Sequence, residues 1–432
     1  MAKKENRHAE LVSASANIEA PYELPEGWKW EKGESLFKPM ESTLPKGDYF
    51  SYIDIESIDN TNQTVFSPKQ LPCKNAPSRA SRKLHAGDTV FSMVRPYLKN
   101  IAYIDSSLAD SIASTGFFVC TPRESVDGRY VYNLMKSPYV VDGLNALMKG
   151  DNSPSIRKSD IEGFHFPLPP TLAEQKRIVN RIETMFAKLD QAQEKAQSVL
   201  DSFETRKAAI LHKAFTGQLT ANWRKKNGVS DDSWEEKTVG ECCSEVKVGI
   251  VIKPTRYYTE EKMGIPAFRS ANVRENHIDD FDWVYINAEG MKKEKRSIVH
   301  TNDVLVVRSG APGTACVVTE QFDGYNAIDI LIAVPLQVVI NSYFLCYYTN
   351  SPMGKNIVAE KKRGLGLTHF NVKGYSATPI RIPSLSEQKE IVRILDTVLE
   401  KENYSKEAAQ TVLDQIALLK KSILARAFRG EL

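Results

Sequence analysis

The sequence is poor in the residues and motifs that carry chemistry. It has no Gly-x-x-x-x-Gly-Lys-Ser/Thr loop, and Gly354-Lys355 lacks the upstream glycine, which argues against ATP use by this chain. Neither His-Glu-x-x-His nor Gly-x-Ser-x-Gly occurs, and no Asn/Asp-Pro-Pro-Tyr/Phe methyltransferase signature is present. Gly310-Ala-Pro-Gly313 is a lone glycine turn, because Pro312 would spoil the helix start that a dinucleotide fingerprint needs. The seven histidines are scattered, none beside a serine or cysteine that it could activate. Six cysteines form no Cys-x-x-Cys pair, which reads as buried free thiols in a reducing compartment. No apolar run approaches the roughly 18 residues of a membrane span, and the charged start Met-Ala-Lys-Lys-Glu-Asn-Arg-His is no signal peptide. Catalysis, if any, belongs to another polypeptide.

What the chain does have is a duplication. The 48 residues Leu172–Leu219 recur without a gap as Leu385–Leu432, with 21 identities. Both copies open Leu-x-Glu-Gln-Lys-x-Ile-Val and close Ile-Leu-x-x-Ala-Phe-x-Gly-x-Leu. A segment used twice predicts a pseudo-twofold object whose ligands come in halves. At 432 residues about three folding units fit, and a net charge of +3 hints only weakly at polyanions.

Each copy carries a 3.5-residue apolar repeat over more than four heptads. In the first the seam runs Ile178, Ile182, Met185, Leu189, Ala192, Ala196, Val199, Phe203, Arg206, Ile210. In the second it runs Ile391, Leu395, Val398, Glu402, Ser405, Ala409, Val412, Ile416, Leu419, Ile423. Pro167, Pro169 and Pro170 precede the first helix and Pro379 and Pro383 the second. Gly217 and Gly430 stop them, and Thr171/Glu174 and Ser384/Glu387 have capping-box spacing. Forty helical residues make a rod of roughly 60 Å that needs a partner, and the other copy, laid antiparallel, is the economical one. Glu402 and Ser405 weaken the second seam and read as a register device or a solvated stretch. Phe186, Phe215, Leu424 and Phe428 are expected on outer faces, docked to something else.

Before each helix lie about 150 residues rich in short β-branched and aromatic runs, such as Thr89–Val94, Gly116–Cys120, Val304–Val307 and Ile328–Val334. They align only in outline: His85–Arg95 with His300–Gly310, Ser137-Pro138 with Ser351-Pro352, and Trp28 with Trp234 near the entrances. The fold class is α+β: two mainly β modules joined by two long antiparallel coiled-coil helices in a pseudo-twofold arrangement. The expected boundaries are a leader 1–20, a first module 21–166, a first helix 167–220, a second module 221–382 and a second helix 383–432. Arg and Lys can neutralise phosphates, and Arg, Asn and Gln can pair with base edges, so loop clusters of these types are candidate DNA contacts. In the first module they are Arg79, Arg82 and Lys83; Arg95, Tyr97 and Lys99; and Asn152, Ser153, Arg157 and Lys158. In the second they are Arg269, Asn272 and Arg274; Arg308 and Ser309; and Lys361, Lys362, Arg363 and His369.

The order of module, Pro-Leu-Pro-Pro-x-Leu-x-Glu-Gln-Lys-x-Ile-Val (Pro167–Val179), long helix, Ala-Phe-x-Gly-x-Leu, second module and second helix resembles the specificity subunit of type I restriction–modification systems. Leu24-Pro-Glu-Gly-Trp28 and Ala221-Asn-Trp-Arg-Lys225 resemble it too. The resemblance covers essentially everything after residue 20. It departs at Ile382-Pro-Ser-Leu, where the first copy has Pro-Pro, and in the leader Met1–Ala20. It implies that each module is a target recognition domain reading half of an asymmetric, two-part site in double-stranded DNA. The paired helices would set the spacer and dock two methyltransferase subunits, with restriction/translocase subunits outside. S-adenosylmethionine, ATP and Mg would sit on those partners, with none in this chain, no membrane is implied, and the location is cytoplasmic. A coiled-coil adaptor that binds only proteins is the rival, and salt-sensitive DNA retention separates the two. A fragment of a fused restriction–methylation enzyme is a further rival, which the missing methyltransferase motif disfavours.

Overall fold

The structure, a computed structural model, describes residues 22–357 and 370–432. Two long helices, Leu172–Phe215 and Leu385–Ala427, each run as one uninterrupted element. The chain divides into two compact units: the described residues up to Ala196 with Thr411–Leu432, and Gln197–Gln410. Each unit therefore holds one β module, the front half of one long helix and the back half of the other.

In the first unit a four-stranded sheet has the order Lys69–Pro72, Tyr49–Ile53, Ile112–Ser114, Ala80–Lys83, and a three-stranded sheet the order Phe117–Cys120, Thr89–Ser92, Ile101–Tyr103. Helices Gly128–Met135 and Pro138–Asn145 cover the second sheet, and Lys29–Lys32 pairs with His165–Leu168 to close the module. The second unit repeats this plan. Val304–Val307 takes the place of Thr89–Ser92 between Ile330–Pro335 and Ala315–Val317, with Cys243–Val248 added at the edge. A parallel pair recurs as well: Tyr52 faces Ile112 in one module and Ala267 faces Asn326 in the other. Glu235–Thr238 pairs with Pro379–Ile382 where the first module has its closing pair.

The loose alignment of the modules has a physical basis at this level. The Asp88 carboxylate accepts from the His85 N–H at 2.8 Å, and Asp303 does the same for His300 at 2.8 Å, each turn feeding the central strand. Gly87 and Asn302 hold the left-handed position in these turns, with φ of 96° and 74°. Asn is the L-residue that tolerates that region best, so the glycine of one copy can become the asparagine of the other.

The Gln of the repeated Glu-Gln-Lys ties each long helix to its module. The Gln175 side chain accepts from the Asp127 N–H at 2.7 Å and donates to the Ser125 carbonyl at 3.1 Å. The Gln388 side chain accepts from the Asn341 N–H at 2.8 Å and donates to the carbonyls of Val339 and Pro383. Asp127 and Asn341 are the N-caps of the module helices Gly128–Met135 and Ser342–Asn350. A buried amide thus satisfies backbone groups of the module from the first turn of the long helix. The neighbouring glutamates do not complete capping boxes. Their backbone N–H groups reach Thr171 and Ser384, but the Glu174 carboxylate pairs with Arg177. That of Glu387 is buried, accepting from Thr220, Arg224 and Trp234.

Within each unit the helix halves pack antiparallel. Lys420 pairs with Asp190 at 2.6 Å in the first, and Arg206 pairs with Glu402 at 2.8 Å in the second, where Lys406 also lies over the Phe203 ring. Glu402 is therefore a cross-helix partner for Arg206, a seam residue of the other helix, which makes it a register device. Ser405 is exposed and bonds back to the Lys401 carbonyl. All ten seam positions of the first helix are buried or half-buried. The second seam is displaced along one edge: Val412 and Leu419 are exposed while Leu413 and Lys420 are half-buried, and Leu399 is buried beside the half-buried Val398. Spacings of 3-4 and 4-3 around Leu395, Glu402, Ala409 and Ile416 are both legitimate heptads. The module core, which takes in Leu399, and the reach of Lys420 to Asp190 select the second.

The aromatic ends are a second correction. Phe215 lies in the core of the second module, and Leu424 and Phe428 lie in that of the first, with Phe186 half-buried against it. Phe215, Leu424 and Phe428 thus anchor the back half of each helix to the module of the unit that holds that half. The six cysteines are all free, five of them buried and Cys73 half-buried. No helix among the described residues is long and apolar enough to cross a membrane.

Lys136 sits where the first module meets the helices, its ammonium over the rings of Tyr132 and Phe186. Burial, with Lys420 and Arg129 nearby, pulls its pKa down to about 8 against the opposing pull of Asp190 and Glu183. The unfolded chain, titrating near 10.5, binds more protons than the folded one between these values, so stability rises as pH climbs from about 8 towards 10. Lys136→Met should therefore raise stability at pH 7 by about 1–3 kcal/mol and abolish that rise. Chemical denaturation at pH 7 and pH 10 checks this, and an unchanged pH slope in the variant would refute it.

Candidate nucleic-acid interface

Three sequence-distant groups in the first module converge on one edge through backbone hydrogen bonds. Thr115 donates to the Arg79 carbonyl at 2.8 Å, Met93 to Gly116 at 2.9 Å, and Ile156 to Met93 at 2.9 Å. Arg95 donates from its backbone N–H to Pro154 at 2.8 Å and from its guanidinium to the Asn152 carbonyl at 3.1 Å. Arg79, Arg95, Tyr97, Asn152, Ser153, Arg157 and Lys158 are exposed there, and Lys99 is half-buried. Among the described residues no carboxylate pairs with Arg79, Arg95, Lys99 or Arg157, so their charge is available to an anion. Lys158 is partly neutralised by Glu162, and Lys83 by Glu41 on the far end of its strand. Arg82 is half-buried, held at an irregular register between Ala80 and the strand Ile112–Ser114.

The second module differs, and several expected contacts there are structural. Asn272 is fully buried, accepting from the Arg269 N–H and donating to Asp279 and Phe281 carbonyls, so it builds a turn and can touch no ligand. Arg269 pairs with Asp282, and Arg274 with Asp279 at 2.7 Å. Arg308 is 14% exposed, pairs with Asp329 and donates to the Phe370 carbonyl at 3.1 Å. Ser309 reaches the same Asp329 carboxylate at 3.5 Å. Lys361, Lys362, Arg363 and His369 lie outside the described residues. Their segment returns at Phe370, whose N–H meets the Arg308 carbonyl much as Ile156 meets Met93.

Sequence reasoning missed the loop that follows Cys243–Val248. Ile250 donates to the Ala327 carbonyl at 2.8 Å and accepts from the Asp329 N–H at 3.0 Å, which sets Val251, Ile252 and Lys253 next to Asp329, while Arg256 on the same loop pairs with Glu294. The run Val246–Ile252 reads as one β-branched strand, which hides its exposed tip. The signal that finds it is strain. Arg95, Lys99, Lys253 and Asp329 all have φ between 46° and 55°, costly for residues with a Cβ, and all stand on these two edges. Gly249 is required here because a Cβ would meet the Ala327 carbonyl oxygen at 2.2 Å. Among the described residues no three His, Cys, Asp or Glu side chains gather to hold a metal.

Two β modules of one plan, each anchored on a long helix by the same buried glutamine and each presenting a strained edge, define a paired recognition protein. The type I restriction modification DNA specificity domain model matches residues 29–200 and 231–413, and the chain belongs to that family: it is a DNA-specificity subunit, and its part is non-catalytic. It is 24% identical over 430 residues to the type I restriction enzyme EcoKI specificity subunit of Escherichia coli K12, covering 95% of this chain and 90% of that one. Among solved structures it resembles the HsdS subunit from Thermoanaerobacter tengcongensis, with 26% identity and a TM-score of 0.69 over 96% of this chain and all of that one. A chain from a study of assembly and conformational transition in a type I R-M system gives 26% identity and a TM-score of 0.77, over 95% of this chain and all of that one.

The geometry separates contact residues from structural ones. Arg157→Ala should leave the melting temperature unchanged while weakening DNA retention at all sequences and lowering the salt slope by about 1. Arg308→Ala should instead cost about 1–3 kcal/mol of stability by leaving Asp329 and the Phe370 carbonyl without their donor. Thermal denaturation and salt-titrated DNA binding check both, and an Arg157→Ala variant that melts early with wild-type salt dependence contradicts the assignment.

Proposed function

We propose that this chain recognises an asymmetric bipartite site in double-stranded DNA, one module per half, as part of a type I restriction–modification complex. The observation that carries the reading is the contrast between what repeats and what does not. The helices, their glutamine clamps and the sheet topology recur closely. The edges present different residues, Arg95, Tyr97 and Arg157 on one and Val251, Ile252 and Lys253 on the other. One scaffold with two unlike sensors suits a site whose halves differ.

The uninterrupted helices act as the spacer between the readers. They also offer docking surface for two methyltransferase subunits, with restriction/translocase subunits joining outside. Leu172, Tyr404, Val412, Leu418 and Leu419 are exposed along them, apolar groups left uncovered by the described residues and suited to a partner protein. S-adenosylmethionine, ATP and Mg belong to those partners, and the complex works in the cytoplasm. Recognition alone falls to this chain.

Deleting one heptad from each helix, Gln191–Gln197 with its antiparallel counterpart Val412–Leu418, shortens the pair by about 10.5 Å. At about 3.4 Å per base pair, the unread spacer of the methylated motif should shrink by roughly three base pairs. Methylome sequencing of cells carrying the variant with its methyltransferase reads this directly. An active complex with an unaltered spacer overturns the spacing role.

A further inference from the structure

The basic edges carry something that phosphate binding does not explain. In the first module Tyr97 and Leu98 are 45% and 41% exposed, on a turn bracketed by Arg95 and Lys99, both in the left-handed region. In the second, Val251 and Ile252 are 48% and 72% exposed, immediately before the left-handed Lys253. These pairs come from different loops: Tyr97–Leu98 link Thr89–Ser92 to Ile101–Tyr103, whereas Val251–Ile252 follow Cys243–Val248. Among the described residues Arg95 and Lys99 beside the first pair, and Lys253 beside the second, have no carboxylate partner, whereas Arg256 pairs with Glu294 and Arg308 with Asp329.

Aliphatic side chains gain nothing from phosphates or ribose hydroxyls, and holding them in water at a strained turn is unfavourable. Flanking cations that must approach a polyanion would carry these tips into a groove. The apolar feature on an undeformed major-groove floor is the C5-methyl of thymine. We infer that Tyr97–Leu98 and Val251–Ile252 are base-reading tips, each selecting a T·A pair in its own half-site through apolar contact with the thymine methyl. The inference rests on the two-module reading above and adds to it the chemistry of one position in each half. Lys253 on one edge, and Arg95 and Arg157 on the other, supply the charge that seats the tips. The tips supply selectivity.

Deoxyuridine differs from thymidine by that methyl alone, which makes the test direct. The complex of the full chain with its methyltransferase is assayed on duplexes carrying its methylome-defined site, with thymines of one half replaced by deoxyuridine. Wild type should lose about four- to tenfold in methylation efficiency with either half substituted, as expected for one or two lost methyl contacts. The double variant Val251→Ser/Ile252→Ser should be slower on the thymine duplex and indifferent to deoxyuridine in the second module's half, yet still sensitive in the other. Leu98→Ser should show the mirror image. All three positions are exposed, and unchanged melting of the variants confirms intact folding. Wild-type indifference to deoxyuridine, equal sensitivity in variant and wild type, or a half-site without a T·A pair overturns the tips while leaving bipartite recognition standing. Loss of any sequence-specific methylation by the wild-type complex would strike at bipartite recognition itself.

Discussion

A single buried amide fixes how each module is held by its helix. Gln175 and Gln388 each bridge a donor and one or two acceptors on module backbone, at the N-terminus of the module's own helix. An amide suits this because it offers both a carbonyl and an N–H₂ in one plane, so the backbone groups around the cap are satisfied without importing charge. Asparagine would be one methylene short, and glutamate would bring a carboxylate with no donor hydrogen for the Ser125 or Val339 carbonyl. The doubled Glu-Gln-Lys is thus a statement about geometry: the recognition edge is oriented by the same contact in both copies. Around it the cores close, with Ile178, Ile182, Leu424 and Phe428 in one module and Phe215, Ile391 and Leu395 in the other.

The middle of the helices obeys a different rule. Between the helix halves of each unit the polar contacts include Arg206 with Glu402, Lys420 with Asp190, and Lys406 over Phe203. Partly exposed ion pairs of this kind add little stability, about 0–1 kcal/mol each. Their value is in register, since a slip of either helix would place like charges together or strand an arginine in the seam.

The parts of this architecture that were legible in sequence are those governed by local rules. Helix length and stops, with Gly217 and Gly430 at φ of 77° and 75°, follow from the apolar period and the demands of a left-handed turn. So does the first seam. The second seam was ambiguous because two spacings fit the same residues, and only tertiary neighbours of Leu399 and Lys420 choose between them. Phe215 and Phe428 were misplaced for a related reason: an apolar residue off the seam looks unpartnered until the module that swallows it is in view. The recognition edges were the least legible. Basic residues announce themselves, but whether Arg308 greets a phosphate or Asp329 depends on a partner 21 positions away in the chain. In the first module the candidates Arg79, Arg95 and Arg157 stand exposed on one edge. Their convergence came from backbone bonds joining positions 79, 93, 115 and 156, which no local pattern encodes.

The second module shows why the two edges differ more than the scaffold that carries them. The strand Val304–Val307 and its neighbours are bound by a ladder and a core in which nearly every residue is fully buried, so a change there costs stability at once. The loops at the strand ends pay no such cost. Arg95, exposed on the first module's edge, has as its topological counterpart a turn beginning at Arg308, where the cation has been drawn inward by Asp329 and no longer faces outward. The exposed tip has moved to the neighbouring loop at Val251–Lys253, beside the same Asp329. One edge has thus been rebuilt from different loops on an unchanged ladder, with Gly249 allowing the close approach to Ala327 that makes the substitution possible. Because each module carries its own core and its own glutamine clamp, such rebuilding in one leaves the packing of the other untouched, and that independence is what lets a single chain hold two unlike readers.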